Sequence, residues 1–362
     1  MSNKSILILA SITIVIIIAA TLSTRSRAPL SVIETPLLNP ELKSRVNDVS
    51  QFIIESKEES VHITRQDNNN WVVMQSDNYP AQFDMVKKLI LEMSDLTILS
   101  EKTSNPALYS ELGVEDHTDE NSDSKLLSLL DSTGETIASI IIGDKRGMDS
   151  LYVRNAASSN SFQVKGQPEV SADPKDWIVK ELLNIDNKRV MEVTIEHPDD
   201  EMLILKREQG SENFALQTLP EGRKTRSEYF TNQPGTFLAD LSIQDAKSQE
   251  NFTYPQDQVI TAIKTYDGLV ATIHSAKIDN INHASLSFSV DENLIQAGDS
   301  PQEGIVIGEQ TDASPNVRLE AKNLNEKVRN WVFIIPQSKQ LLLSKRTEEL
   351  TDIIEEESEV SQ

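Results

Sequence analysis

The sequence predicts an α+β protein: one N-terminal transmembrane helix, then two tandem, internally repeated and mostly antiparallel sheet-plus-helix units. Three observations carry this. Residues 5–24 hold no charged side chain. The remainder alternates apolar and polar residues with a period of two, interrupted by one clear helical face. The order of these elements then recurs in the second half of the chain.

The uncharged run Ser5–Thr24 is nearly all Ile, Leu, Val and Ala. At a rise of about 1.5 Å per residue it spans the roughly 30 Å hydrocarbon core of a bilayer. A cleaved signal peptide has a shorter apolar core, about 7–15 residues, ending at a small-x-small site. Ala19-Ala20-Thr21 is a poor version of that site, so an uncleaved anchor is expected, with residues 1–4 as a cytoplasmic stub. Lys4 on one side and Arg25 and Arg27 on the other do not set the orientation. A long C-terminal body translocates regardless of flanking charge. The expected location is a bacterial inner membrane, single-pass, with the body facing the periplasm.

Residues 25–48 read as a linker, broken by Pro29, Pro36 and Pro40. The first unit is assigned to residues 49–188. Phe52 and Ile54, then Val61, Ile63 and Arg65, follow the strand period, and Trp71 and Val73 follow after the Asp67-Asn68-Asn69-Asn70 turn. After Pro80, Phe83, Val86, Leu89, Ile90, Met93 and Leu96 recur at spacings of three and four, which is one helix face. Asn105-Pro106 opens a short helical turn closed by Gly113. Leu126–Leu130, the turn Asp131-Ser132-Thr133-Gly134 and Ile137–Ile142 form a hairpin. Two short strands follow around Leu151 and Phe162. Asp173-Pro174 predicts a helix through Trp177, Leu182 and Ile185.

The second unit, 189–345, repeats this order. Val193 and Ile195 match the opening strand, Leu203, Leu205 and Arg207 match Val61, Ile63 and Arg65, and Phe214 matches Trp71. A weaker helix is expected at Phe237, Leu238 and Leu241, then a hairpin around Tyr266-Asp267-Gly268, a strand at Leu286–Val290 and a last strand at Trp331–Ile335. Residues 291–330 read as an insertion loop. The acidic tail 346–362 carries seven carboxylates from Glu348 to Glu359, with a helical start through Leu350, Ile353 and Ile354.

Composition excludes several functions. The 34 basic and 57 acidic side chains leave a net charge of −23, and nucleic-acid binding needs a basic face. The chain has no cysteine, which removes disulfides, thiolate metal sites and thiol nucleophiles.

No residue pattern marks a catalytic, cofactor or metal site. Asp119, Asn121 and Asp123 have the early spacing of a calcium loop, but Ser124 and Leu130 replace its glycine and its bidentate glutamate. His62, His117, His197, His274 and His283 form no helical pair. Gly143-Asp144-Lys145-Arg146-Gly147 lacks phosphate-loop spacing and reads as a hairpin connection. Trp71, Tyr79, Trp177 and Trp331 stand where core aromatics are expected.

The order of short motifs resembles the bacterial domain of unknown function 4340 family. These are Trp71-Val72-Val73, Tyr79-Pro80-Ala81, Leu112-Gly113-Val114, Asp131-x-x-Gly134, Ile141-Ile142-Gly143, Leu151-Tyr152-Val153-Arg154 and Asp176-Trp177. The likeness covers roughly residues 49 to 345, both units, and is clearest from 71 to 195. The second half departs from it, with Phe214 for Trp71 and no counterpart of Gly143. The resemblance implies a membrane-anchored envelope protein acting beside an ABC-type permease and its ATPase, in systems similar to the gliding-motility exporters. It implies no catalytic residue. The expected function is therefore a non-catalytic accessory or binding subunit. The alternatives are an envelope hydrolase using paired carboxylates and a stand-alone substrate-capturing envelope module.

Overall fold

The computed structural model describes residues 35–66, 70–217, 219–295 and 316–354. It has the expected α+β character: two large antiparallel sheets with a few helices. The segment 5–24 and the turn at 67–69 lie outside the described residues. Among the described residues no helix is long and apolar enough to cross a membrane.

The first sheet holds β1 (Gln51–Glu55), β2 (Ser60–Arg65), β3 (Trp71–Val73), β4 (Tyr79–Pro80), β5 (Thr97–Glu101), β6 (Lys125–Leu130), β7 (Thr136–Arg146), β8 (Ser150–Asn155) and β9 (Ser161–Lys165). Their order is β4-β3-β2-β1-β6-β7-β8-β9-β5. Period-two alternation puts Phe52, Ile54, Val61, Ile63, Leu127 and Leu129 inside.

The second sheet holds β11 (Val190–Glu196), β12 (Met202–Lys206), β13 (Ala215–Leu216), β16 (Asp245–Ser248), β17 (Val259–Thr265), β18 (Leu269–Ile278), β19 (Ile281–Val290) and β20 (Trp331–Ile334). Its order is β13-β12-β11-β17-β18-β19-β20-β16. Without the two-residue β4, the first sheet runs in the same sequence of positions. The register also agrees. Phe52 lies between Ile63 and Leu129, and Val193 lies between Leu205 and Ile263.

The helix α2 (Phe83–Ser94) lies where its spacing predicts, with Val86, Leu89, Ile90 and Met93 buried. Five other segments differ from the sequence reading. Within 25–48, α1 (Pro40–Ser44) is folded onto the body. Asn39 caps it, Leu42 is fully buried, and Arg45 reaches Asp131 at 2.8 Å. Just ahead of α1, Leu38 N–H donates to Leu96 O and Ile98 N–H to Pro36 O, both at 2.8 Å.

The helix expected through Ile185 is only a 3-10 turn at Pro174–Asp176, followed by β10 (Glu181–Leu183). Backbone competition explains it: Ile178 pairs with Ala81, Val179 N–H donates to Pro80 O, and β10 pairs with β15 (Leu241–Ser242). The weak helix at Phe237–Leu241 is replaced by α3 (Glu228–Asn232) and a 3-10 turn at Pro234–Thr236. Asp240 takes φ +46°, and Leu238 O accepts from Ile185 N–H, so the backbone leaves any helical path there.

The presumed insertion 291–330 contains α4 (Val317–Val328), capped by Asn316 and buried through Val317, Ala321 and Val328. Asn325 holds it to β19 by accepting from Phe288 N–H and donating to Phe288 O. The acidic tail begins with α6 (Thr347–Leu350) and then β21 (Thr351–Ile353), not a continuous helix. β21 pairs with β14 (Arg223–Thr225), more than a hundred residues earlier.

One apolar cluster runs from Leu42 to Leu350 and takes in both sheets. The halves meet where Tyr79 packs edge-on against Trp331 at 4.9 Å. Beside them the Ser76 hydroxyl donates to buried Asp245 at 2.7 Å, and Ser248 N–H donates to Asp77 at 2.8 Å.

Candidate functional site

An open groove of about 810 Å³ lies in the second half, between α3 and α5 (Gln337–Leu343). Tyr229 and Phe230 form one wall, Leu341 and Leu342 the other, and Gln233 and Thr236 contribute to the lining between them. Tyr229 is 69% exposed and Leu341 48%. Among the described residues, two ammonium groups, Lys339 and Lys345, line the groove, and no carboxylate does. Lys339 Nζ donates to the Phe237 and Ala239 carbonyls at 3.0 and 2.6 Å. Burial lowers its pKa, against the pull of nearby Asp240. Lys345 Nζ pairs with Glu349 at 2.9 Å.

Sequence reasoning missed this site because its walls are more than a hundred residues apart. The available signal was local. Tyr229-Phe230 and Leu341-Leu342-Leu343 are apolar runs in segments too short to bury every member.

A second feature explains why the family-like motifs occur together. Leu112-Gly113-Val114 and Gly143 are in direct contact in the first half. A Cβ at Gly143 would sit 2.5 Å from Leu112 O and 2.7 Å from Gly113 O. Asp144 N–H donates to Leu112 O at 3.0 Å. Tyr109, Val114 and Ile141 form a separate small core here, with Tyr152 packed against it. Arg154 is buried, donates from Nε to Val114 O at 2.9 Å and from Nη2 to Asp116 at 2.6 Å, and lies over the Tyr109 ring at 4.6 Å. The cluster pins a loop to the sheet. Its polar groups are engaged with one another.

The residues weighed from sequence are dispersed. His62 is half-buried on β2 beside Gln51, and burial lowers its pKa. His197 is buried with Nε2 3.0 Å from Lys345 O. His274 contacts Gln258, His283 contacts Ile281 O, and His117 lies in the loop that follows Asp116. Among the described residues no three His, Asp or Glu side chains converge as a metal set. The acidic loop at 119–123 is a turn, and the Glu120 carbonyl accepts from Lys57. Gly143–Gly147 is the end of β7 and its hairpin turn. Trp71 and Trp177 are buried, each packed against Phe52, and Trp331 is partly buried against Tyr79.

A search of curated proteins returns no match. The family model described as Domain of unknown function (DUF4340) matches residues 71–259, just over half of the chain. The matched stretch runs from β3 to the start of β17 and includes Gly143, Arg154 and the α3 wall of the groove. The motif order read from the sequence and this match agree: the chain belongs to the domain of unknown function 4340 family.

Proposed function

We propose that this chain is a membrane-anchored, non-catalytic binding subunit of an ABC-type transport system in the bacterial envelope. The observation that carries the reading is the open groove between α3 and α5, with apolar walls and no carboxylate among its described lining residues. A surface of this kind holds a partner by apolar contact and has no acid–base pair in it. The uncharged segment 5–24 supplies the anchor, and the resemblance supplies the partners, a permease and its ATPase. The energy source belongs to the partner, since the sequence has no phosphate-binding lysine loop.

We further infer that the two sheets descend from one duplicated unit. The shared strand order supports this. So does a repeated detail: Arg65 lies over Trp71, and Arg207 lies over Phe214.

The test is extraction of the full chain in mild detergent followed by affinity purification. The expected result is recovery of a permease and an ATPase in fixed ratio. Replacing Ile16 and Ile17 by lysine costs about 2.5–3.5 kcal/mol each on insertion scales and should release the body from membranes. Recovery of the chain alone under crosslinking, with turnover of an envelope polymer that one carboxylate substitution abolishes, would favour a hydrolase instead.

A further inference from the structure

The groove's charge and shape specify its occupant more narrowly than the binding-subunit reading on which this inference rests. We propose that it receives an amphipathic helix of a partner protein, with an apolar stripe flanked by carboxylates. Both walls are helices, and a third helix laid between them would present apolar side chains at i, i+3, i+4 and i+7 to Tyr229, Phe230, Leu341 and Leu342. The side chains that would cover such a stripe, Tyr229 and Leu341, are the ones left exposed.

The chain carries 57 acidic side chains among 362 residues, yet among the described residues none lines this groove. An ammonium group has three donors. Lys339 gives two of them to carbonyls, and Lys345 gives one to Glu349. Each keeps donor capacity for a carboxylate arriving from outside. The opposite charge on the incoming helix would meet two lining ammonium groups, Lys345 already sharing its charge with Glu349 and Lys339 lying near Asp240, with no carboxylate among the described lining residues. A small ligand is a poorer occupant, because drug-sized molecules bury most of their surface, and this groove is open.

The experiment uses the full chain in lipid nanodiscs and a labelled 18-residue model helix with a leucine stripe and glutamate flanks. A matched helix carries lysine flanks, and empty nanodiscs measure lipid binding. Anisotropy should show saturable binding of the glutamate helix and at least tenfold weaker binding of the lysine helix. Tyr229→Ser with Leu341→Ser should weaken the glutamate helix at least tenfold with an unchanged far-UV spectrum and melting temperature, since both side chains are exposed. Lys345→Gln should weaken it several-fold, and 0.5 M salt should do the same.

Equal binding of the two helices, or no effect of the double variant, overturns the proposal. Self-association of the chain that the double variant abolishes also overturns it, in favour of a second copy. Co-purification with a permease without binding of the model helix would leave the functional reading standing and remove this one. Groove-dependent binding of the helix without any permease would do the reverse.

Discussion

Replacing Gly143 by alanine adds one methyl group where the 112–114 loop lies directly against the backbone of β7. The new carbon would lie 2.5 Å from Leu112 O, 2.7 Å from Gly113 O and 2.7 Å from Val114 Cγ1. Two of these are backbone atoms, so no side-chain rotation relieves the clash, and the 112–114 loop must shift. Inserting a methyl into a packed site costs about 1–3 kcal/mol. The shift also stretches the hydrogen bond from Asp144 N–H to Leu112 O, worth about 0.5–1.5 kcal/mol. The expected loss is therefore about 1.5–4.5 kcal/mol. At about 2 °C per kcal/mol for a fold of this size, the melting temperature should fall by about 3–9 °C. Gly147→Asn is the control. Gly147 has φ +68° and nothing within 4 Å of its would-be Cβ, and asparagine tolerates the left-handed region. Differential scanning fluorimetry on the full chain reads both variants. A G143A melting temperature within about 1 °C of wild type, or equal to that of G147N, would refute the steric argument.

Three further outcomes follow from other contacts. Leu42→Ala removes a fully buried side chain from α1 and should cost about 2–5 kcal/mol; an effect below about 0.5 kcal/mol in denaturant titration would mean that this segment is a loose linker after all. Ser76→Ala leaves buried Asp245 without its hydroxyl donor between the halves and should cost about 1–3 kcal/mol, so an unchanged midpoint would show that the halves do not depend on this bond. Arg346 holds Asp199 below its ordinary pKa; for Glu201 burial acts upward but is outweighed by the Thr347 N–H and by Arg346. Both carboxyls are therefore lower in the folded state. Their stabilisation is present above pH 4.5, the higher of their two ordinary pKa values, and is lost as the pH falls through the lower folded values. Melting temperatures measured from pH 6 down to 3 should decline less steeply in Arg346→Met than in wild type, and parallel curves would exclude the cluster as a source of acid sensitivity.

Much of the strand content was legible because alternation is a local property. Phe52, Ile54, Val61 and Ile63 alternate in sequence, and each is fully buried. The face of α2 was legible for the same reason, from spacings of three and four. The pairing of Arg65 with Trp71 and of Arg207 with Phe214 could be anticipated only as a correspondence of positions. That each guanidinium lies over its ring is a product of register and side-chain direction.

The sequence by itself determined the α+β class, the exclusion of cysteine chemistry, the acidic surface and the order of local elements, since each depends on composition or on neighbours a few residues apart. Tertiary structure decided everything that needed a distant partner. The stretch after Pro174 carries a capped helix start, yet it becomes extended because the Pro80–Ala81 edge and β15 offer it backbone hydrogen bonds. Thr351–Ile353 becomes a strand because β14 lies beside it. The groove exists because Tyr229 and Leu341 are brought face to face and neither segment is long enough to bury both of its sides. Local periodicity states which face of a segment is apolar. Only the packed chain determines what that face meets, and whether it is left open to a partner.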